Sequence, residues 1–362
     1  MATSAEYGLG EYQFPRGWFM VADAAELKAG EPLNVRFFAR DFVVYRGASG
    51  RVVMLDAYCP HMGTHLGKNT TSYVVRDHTH IEGDSIRCPY HAWRFGPDGQ
   101  CDDIPYAQQI PKAACVRSWK IVERAGAIWV WHDPENQEPD YDLPPFSEWD
   151  NPAWVRWYFD HLGTLAIHPQ EILDNMVDVG HFVPTHGMKR IEYFENEFHG
   201  HVAMQRQGGG HRTLVSDDTH ILQTDTWYTG PGILQSRMAG EMPALMMITH
   251  TPVDDGVVKV WHAVMAKSPH AVATEADAAI AHAYQETGRK AFAQDFEIWG
   301  NKQPCFQVLQ IPTDGPFDKL RLWYKQFYNR RSKAQDFLKR VEGVHTVRGM
   351  PTAPKSGRLA AE

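Results

Sequence analysis

The sequence predicts an α+β chain in which a small all-β domain precedes a larger domain of antiparallel sheet and helices. Three observations predict it. Residues from Gly17 to Asp56 and from Arg117 to His132 alternate in short runs rich in Val, Phe and Trp, which is strand patterning. From Trp154 the texture mixes strand runs, at 154–159 and through 211–265, with helix-period stretches near 168–180, 274–300 and 316–330. Between these parts, Pro134 to Pro145 carries four prolines and several acids and reads as a linker. The chain then divides into residues 1–140, 141–348 and a flexible tail at 349–362, where prolines and small or polar residues suit mobility.

In order, Trp18-Phe19-Met20-Val21, Phe37-Phe38-Ala39-Arg40 and Phe42-Val43-Val44-Tyr45 read as short antiparallel strands, with turn signals at Gly47 and Gly50. Ala125-Gly126 turns between two further strands, the second ending in Trp129-Val130-Trp131. These strands frame two loops, Cys59-Pro60-His61 and Cys88-Pro89-Tyr90-His91. Each loop offers one thiolate and one imidazole, so one iron of a [2Fe–2S] cluster can take both sulfurs and the other both nitrogens. A structural zinc site is the competing occupant. Zinc fingers, however, put both cysteines in one arm and both histidines in the other, whereas here each arm carries one of each.

Composition narrows the function classes. The 362 residues are 43% hydrophobic, enough for a large core, and the net charge of −8 with no Lys/Arg block leaves no footprint for nucleic acid or an anionic membrane. Small-molecule chemistry fits better. Of the cysteines at 59, 88, 101, 115 and 305, two belong to the loops, and the odd remainder points to a reducing compartment rather than a disulfide framework. No leader pattern opens the sequence and no apolar run approaches the roughly 18 residues of a membrane span, so a cytoplasmic location is expected.

A second constellation lies in Asp174-Asn175-Met176-Val177-Asp178-Val179-Gly180-His181-Phe182-Val183-Pro184-Thr185-His186. On a straight helix His181 and His186 would point roughly 140° apart, but Pro184 between them cannot continue the ladder, so His186 can fold back toward His181. Two imidazoles and one carboxylate leave open positions on Fe(II). Asp295 is the candidate carboxylate: its helical neighbours Ala291, Phe292, Ile298 and Trp299 are apolar, and a charge on such a face needs a partner or a metal. Glu297, beside Ala293, Gln294, Gly300 and Asn301, reads as solvated. One turn before His181, Asp178 is positioned to accept the ring proton that faces away from the metal. Asn175, a turn earlier, is either an ordinary helix polar residue or a group near the iron.

With both ligand sets in this order, the chain resembles, over nearly its whole length, the oxygenase (alpha) component of Rieske non-haem iron oxygenases. The resemblance implies an N-terminal Rieske domain whose Cys59, His61, Cys88 and His91 hold the [2Fe–2S] cluster, and a catalytic domain whose His181, His186 and Asp295 hold mononuclear Fe(II). It implies that Asp178 bridges to His181 from His91 of a neighbouring subunit, hence a homotrimer. O₂ is the oxidant, and electrons come from a separate NAD(P)H-dependent ferredoxin reductase or a ferredoxin. The chain itself has no G-x-G-x-x-G fingerprint, and Gly208-Gly209-Gly210 lacks the strand-and-helix setting. The run from Lys68 to Asp84, with His78 and His80 as further possible ligands, is longer than the family pattern and is expected to form a surface hairpin.

The chain is more closely similar to 3-ketosteroid 9α-hydroxylase oxygenases, at Leu55-Asp56-Ala57-Tyr58-Cys59, Pro105-Tyr106-Ala107, the run from Asp174-Asn175 through His181-Phe182, Phe198-His199-Gly200-His201, Gln294-Asp295-Phe296-Glu297-Ile298-Trp299 and Leu322-Trp323-Tyr324-Lys325-Gln326-Phe327-Tyr328. The implied reaction is O₂-dependent hydroxylation of a bulky apolar small molecule, most simply a steroid. The runs Trp227–Leu234 and Met242–Ile248 bring aromatic and thioether side chains that suit either such a pocket or plain sheet core. Oxidative demethylation of a methyl ether, amine or sterol methyl is the alternative, and an electron carrier without oxygenase activity a remoter one.

Overall fold

The computed structural model describes residues 1–188, 190–210, 214, 221–240 and 242–347, so the expected tail and His211 lie outside the described residues. Contacts divide the chain into two compact units, Phe19–Trp131 and a second joining Met1–Trp18 to the chain from His132 on. The sequence pattern had put the N-terminal lead in the first domain. It groups with the second unit because Arg16 is buried against the Asn329 and Gln326 carbonyls, and Asn329 Nδ2 donates to Leu9 O at 2.9 Å.

The first unit is all-β with two short helical turns, the first a 3₁₀ turn at Ala24–Glu26. Strands β1 (Gly17–Asp23), β2 (Leu33–Phe37), β3 (Arg40–Arg46) and β4 (Val52–Asp56) follow the expected runs. After a helical turn, α1 (Tyr73–Arg76), come β5 (Ile81–Glu82), β6 (Ser85–Arg87), β7 (Arg94–Phe95), β8 (Cys101–Asp103), β9 (Ile121–Arg124) and β10 (Ala127–His132). They make three sheets, β2-β3-β4, β5-β6-β7-β8 and β1-β10-β9, and Val43, Tyr45, Leu55, Ile86 and Phe95 pack into a common core beside Cys59 and Cys88. The stretch 68–84 is not a simple hairpin. Ser72 caps the α1 turn by accepting from the Val74 N–H, and only the end of the stretch, β5, pairs with β6. His80 is buried with its Nε2 on Leu66 O at 2.7 Å, and His78 is exposed at φ 59°.

The second unit is built on one antiparallel sheet. Its strands are β11 (Trp154–Val155), β12 (Asp160–Leu165), β13 (Ile191–His199), β14 (Val202–Gly209), β15 (Leu222–Thr229), β16 (Ile233–Ala239), β17 (Ala244–Asp254), β18 (Val257–Lys267) and β19 (Gly343–Thr346). The order is β11-β18-β17-β16-β15-β14-β13-β19, with β12 also on β18. Its helices are α2 (Pro169–Leu173), α3 (Glu275–Gly300), α4 (Phe317–Lys325) and α5 (Ala334–Leu338). Thr274 and Asp277 form a capping box that starts α3, whose Phe292 and Trp299 pack with Ile172, Ile248, Val258 and Val260.

The predicted helix from 168 to 180 is broken. It begins as read, with His168 at the N-cap and Pro169 in the first turn, but tightens to a 3₁₀ turn at Asp174–Met176 and resumes only at Gly180–Phe182. Asn196 Nδ2 and Gln205 Nε2 capture Met176 O at 2.7 and 3.0 Å, taking the carbonyl that a continued helix would use. Arg321, on α4, binds the buried Asp174 carboxylate at 2.5 and 3.1 Å, and burial pushes that carboxyl up despite the guanidinium. Arg321→Ala strands the charge and is expected to destabilise the protein by about 3–5 kcal/mol, read as a lowered denaturation midpoint; an unchanged midpoint would show that Asp174 takes up a proton at little cost.

Candidate metal centre

The break in that helix builds the site. Asp178 Oδ1 accepts the main-chain N–H groups of Gly180 and His181 at 2.9 and 3.3 Å, so the carboxylate caps the short turn that carries His181. The turn closes with Thr185 N–H on His181 O at 2.9 Å, and Pro184 keeps the chain from continuing as helix. His186 then returns beside His181, their ring centroids 5.2 Å apart and the planes at 77°. From α3, Asp295 arrives 93% buried, with Oδ2 at 3.3 Å from His186 Nε2.

His181, His186 and Asp295 each offer a ligand atom within 4.8 Å of the others, the one such group among the described residues. That spacing lets all three share one ion. His186 Nδ1 donates to Gln294 Oε1 at 3.0 Å, which leaves the Nε2 lone pair for the shared point. The other ring corrects the sequence reading. His181 Nδ1 lies 2.6 Å from the Asp178 main-chain oxygen and 3.7 Å from its carboxylate, so the carbonyl takes the ring proton while the carboxylate serves the backbone. Burial alone would raise the Asp178 carboxyl, but His181 and the main-chain donors hold it below its ordinary range. Burial likewise opposes a charged His186, yet Asp295 and Gln294 outweigh it and hold that ring above its usual value.

Asn175 is half-buried and lines a cavity shared with all three residues. Glu297 is exposed as expected, but Ile298, read on the apolar face, is 47% exposed. Gln294 was missed, having been read with the solvated side of α3. Its signal was adjacency: consecutive helical residues stand about 100° apart, so a neighbour of Asp295 can border the same groove. Gln294→Leu is expected to weaken Fe(II) binding ten- to hundredfold, by about the usual effect of losing a residue that orients a ligand, with no change in the cluster spectrum; this is measured by titrating iron-free protein.

In the first unit the two predicted loops are the same turn built twice. Gly63 N–H bonds Cys59 O and Ala92 N–H bonds Cys88 O, at 2.9 and 3.0 Å, while the Cys59 and Cys88 N–H groups bond Thr64 O and Trp93 O at 2.9 and 2.7 Å. Gly63 and Ala92 both adopt positive φ, 71° and 58°, to close these turns. The duplicated geometry pairs like with like. The two thiols are buried side by side, and the His61 and His91 rings lie 4.7 Å apart toward the surface, His61 stacked on Trp93 at 4.4 Å. The neighbouring Cys59 thiol, with the main-chain groups of Tyr90 and His91, lowers the Cys88 thiol against the effect of burial, and Cys59 is driven up in exchange. A buried sulfur pair and a surface nitrogen pair suit the two ends of a Rieske-type cluster, while the His80 ring is engaged with Leu66 O and His78 is exposed.

The cavity beside the triad is open at its mouth and holds roughly 900 Å³ of non-protein space, the solvent at that mouth included. Phe292, Trp299, Ile172, Leu234, Met246 and Ile248 make its wall largely apolar. Of the two stretches read as pocket or core, Tyr228, Leu234, Met246 and Ile248 reach this wall, whereas Trp227 and Met242 do not. No helix among the described residues is long and apolar enough to cross a membrane.

Residues 17–119 match the Rieske [2Fe-2S] domain, and residues 130–328 match the family described as 3-Ketosteroid 9alpha-hydroxylase C-terminal domain. The chain is 33% identical over 358 residues to a 3-ketosteroid-9-alpha-monooxygenase, oxygenase component, of Rhodococcus rhodochrous, covering 95% of this chain and 89% of that one. A protein of the same description from Mycobacterium tuberculosis is 31% identical over 330 residues, covering 87% and 82%. Among solved structures, Pseudomonas putida CBB5 NdmA with caffeine shares the fold, with a TM-score of 0.67 at 17% identity and coverage of 97% and 99%. Two Cys/His loops, a His/His/Asp cluster and a likeness that covers most of the chain lead to one family: the chain belongs to the 3-ketosteroid 9α-hydroxylase oxygenases, and is the oxygenase component of a Rieske non-haem iron monooxygenase that uses a [2Fe–2S] cluster, a mononuclear iron, O₂ and a separate electron donor.

Proposed function

We propose that this chain hydroxylates an unactivated C–H position of a steroid. The observation that carries the reading is a largely apolar cavity whose wall includes His181, His186 and Asp295. The relatives, 3-ketosteroid-9-alpha-monooxygenase oxygenase components, add the steroid. We assign Cys59, His61, Cys88 and His91 to the cluster, and His181, His186 and Asp295 to the iron. When bound, these groups supply single electrons and the reductive activation of O₂ that puts one oxygen atom into a C–H bond.

The chain's own residues do the rest. The Nδ1 protons of His181 and His186 are committed to Asp178 O and Gln294 Oε1, so both rings keep one tautomer with Nε2 free for the ion. Phe292, Trp299 and Ile248 keep water from the reacting carbon. Asn175 faces the same space and is assigned a role beside the iron. The Asp178 carboxylate remains 35% exposed, which suits it to receive the ring N–H of His91 of the partner subunit within a trimer. The cluster-bearing part extends to about residue 140 in this division of labour, the catalytic part from there to 348. The donor is an NAD(P)H-dependent reductase or a ferredoxin, and the setting cytoplasmic.

The test is a screen of steroids and aromatic compounds under ¹⁸O₂ with the reconstituted electron chain and mass spectrometry. One labelled hydroxyl on a steroid supports the reading. Release of formaldehyde would assign demethylation instead, and no oxygen incorporation into any steroid would overturn it.

A further inference from the structure

Besides Asn175, Tyr228 and the triad, five polar side chains interrupt the apolar wall of the cavity: Gln205, Gln207, Thr224, Thr226 and Ser236. They share one face of the sheet, because Gln205 pairs with Thr226, Gln207 with Thr224, and Thr226 with Ser236, at alternate positions along their strands. Three of them find partners inside the protein. Gln205 donates to Met176 O at 3.0 Å, and the Thr226 and Ser236 hydroxyls bond each other at 2.7 Å. Gln207 Oε1 and Thr224 Oγ1 have no hydrogen-bond partner among the described residues, although the residues are only 4% and 6% exposed. Two neighbouring polar atoms without protein partners gain from a ligand that completes their bonds.

We propose that Gln207 and Thr224 form a polar recognition point in the substrate cavity that selects a polycyclic substrate bearing a hydroxyl group. The inference rests on the steroid reading above. Cross-strand partners directly opposite each other have Cβ atoms about 5 Å apart, a span that one hydroxyl can bridge. The amide oxygen of Gln207 only accepts and the Thr224 hydroxyl can donate, so a substrate O–H gives its proton to the first and accepts from the second. A ketone can accept from Thr224 but leaves the Gln207 oxygen unpaired. A bare C–H leaves both unpaired. The recognition order is therefore hydroxyl, then ketone, then hydrogen.

The test is calorimetric binding to the iron-loaded enzyme of two steroid series, each varied at one end of the ring system among hydroxyl, ketone and hydrogen. In one series the hydroxyl congener is expected to bind about tenfold or more tighter than the hydrogen congener. In Thr224→Val and Gln207→Leu that ratio falls toward one, while the melting temperature holds or rises because unpartnered polar atoms have been removed. Equal binding of all congeners, or a preference that survives both substitutions, would overturn the inference. If steroids are still oxidised in that case, only this inference fails; if none binds or is oxidised, the steroid reading fails with it.

Discussion

Replacing Asp295 with alanine is expected to abolish product formation and leave the cluster's visible and EPR spectra unchanged. The carboxylate is the one anionic member of the triad, buried with its oxygen 3.3 Å from His186 Nε2. Two neutral imidazoles alone would have to hold a divalent ion at a site largely walled off from water, so iron retention should fall by more than the hundredfold typical of an orienting partner. Asp295→Asn keeps the shape and removes the charge, and should lose activity to the same extent. Full activity in either variant, with iron still bound, would show that another group completes the site. The comparison with Gln294→Leu is informative, since that change removes only the acceptor for the His186 Nδ1 proton and should cost less.

The second large effect is expected from Cys88→Ala. One sulfur is lost from the pair, and His61 and His91 cannot replace it, because they face each other at the surface rather than the thiols in the core. The variant should be colourless, silent in the EPR of the reduced cluster and inactive with any electron donor. Its mononuclear iron should remain, since those ligands lie in a different compact unit. A coloured, active Cys88→Ala protein would remove Cys88 from the ligand set. A zinc-loaded wild type would return the loops to the structural alternative.

These expectations were legible in the sequence to unequal degrees. The two Cys/His loops stood out because their ligands are local: each pair lies within four residues, and a short turn suffices to present it. Asp295 was found through its apolar helical neighbours, although Ile298 proved exposed where α3 faces solvent. The span of α3 followed from periodicity, whereas α4 ends at Lys325 and gives way to a 3₁₀ turn at Gln326–Tyr328, short of the 330 that periodicity suggested. The helix at 168–180 was misread because what breaks it is distant in sequence, Asn196 and Gln205 reaching across to Met176 O. The same reach hid the partner of the His181 ring, since a main-chain carbonyl leaves no residue-type signal. Ser72 turned a stretch read as hairpin into a helical turn, a cap visible only once the helix it starts is known. The polar stripe in the cavity was equally hidden, because cross-strand register decides which side chains face the substrate.

The central claim is that cluster electrons and the ferrous site of this chain act together on one oxygen molecule. A single turnover tests it most directly: fully reduced protein, free of any donor, is mixed with a steroid and ¹⁸O₂, and cluster reoxidation is followed beside product. The account predicts that the cluster is reoxidised as one labelled hydroxyl appears, and that Asp295→Ala yields no labelled product. Labelled product formed without cluster reoxidation, or reoxidation of wild type with no label in any steroid, would contradict it.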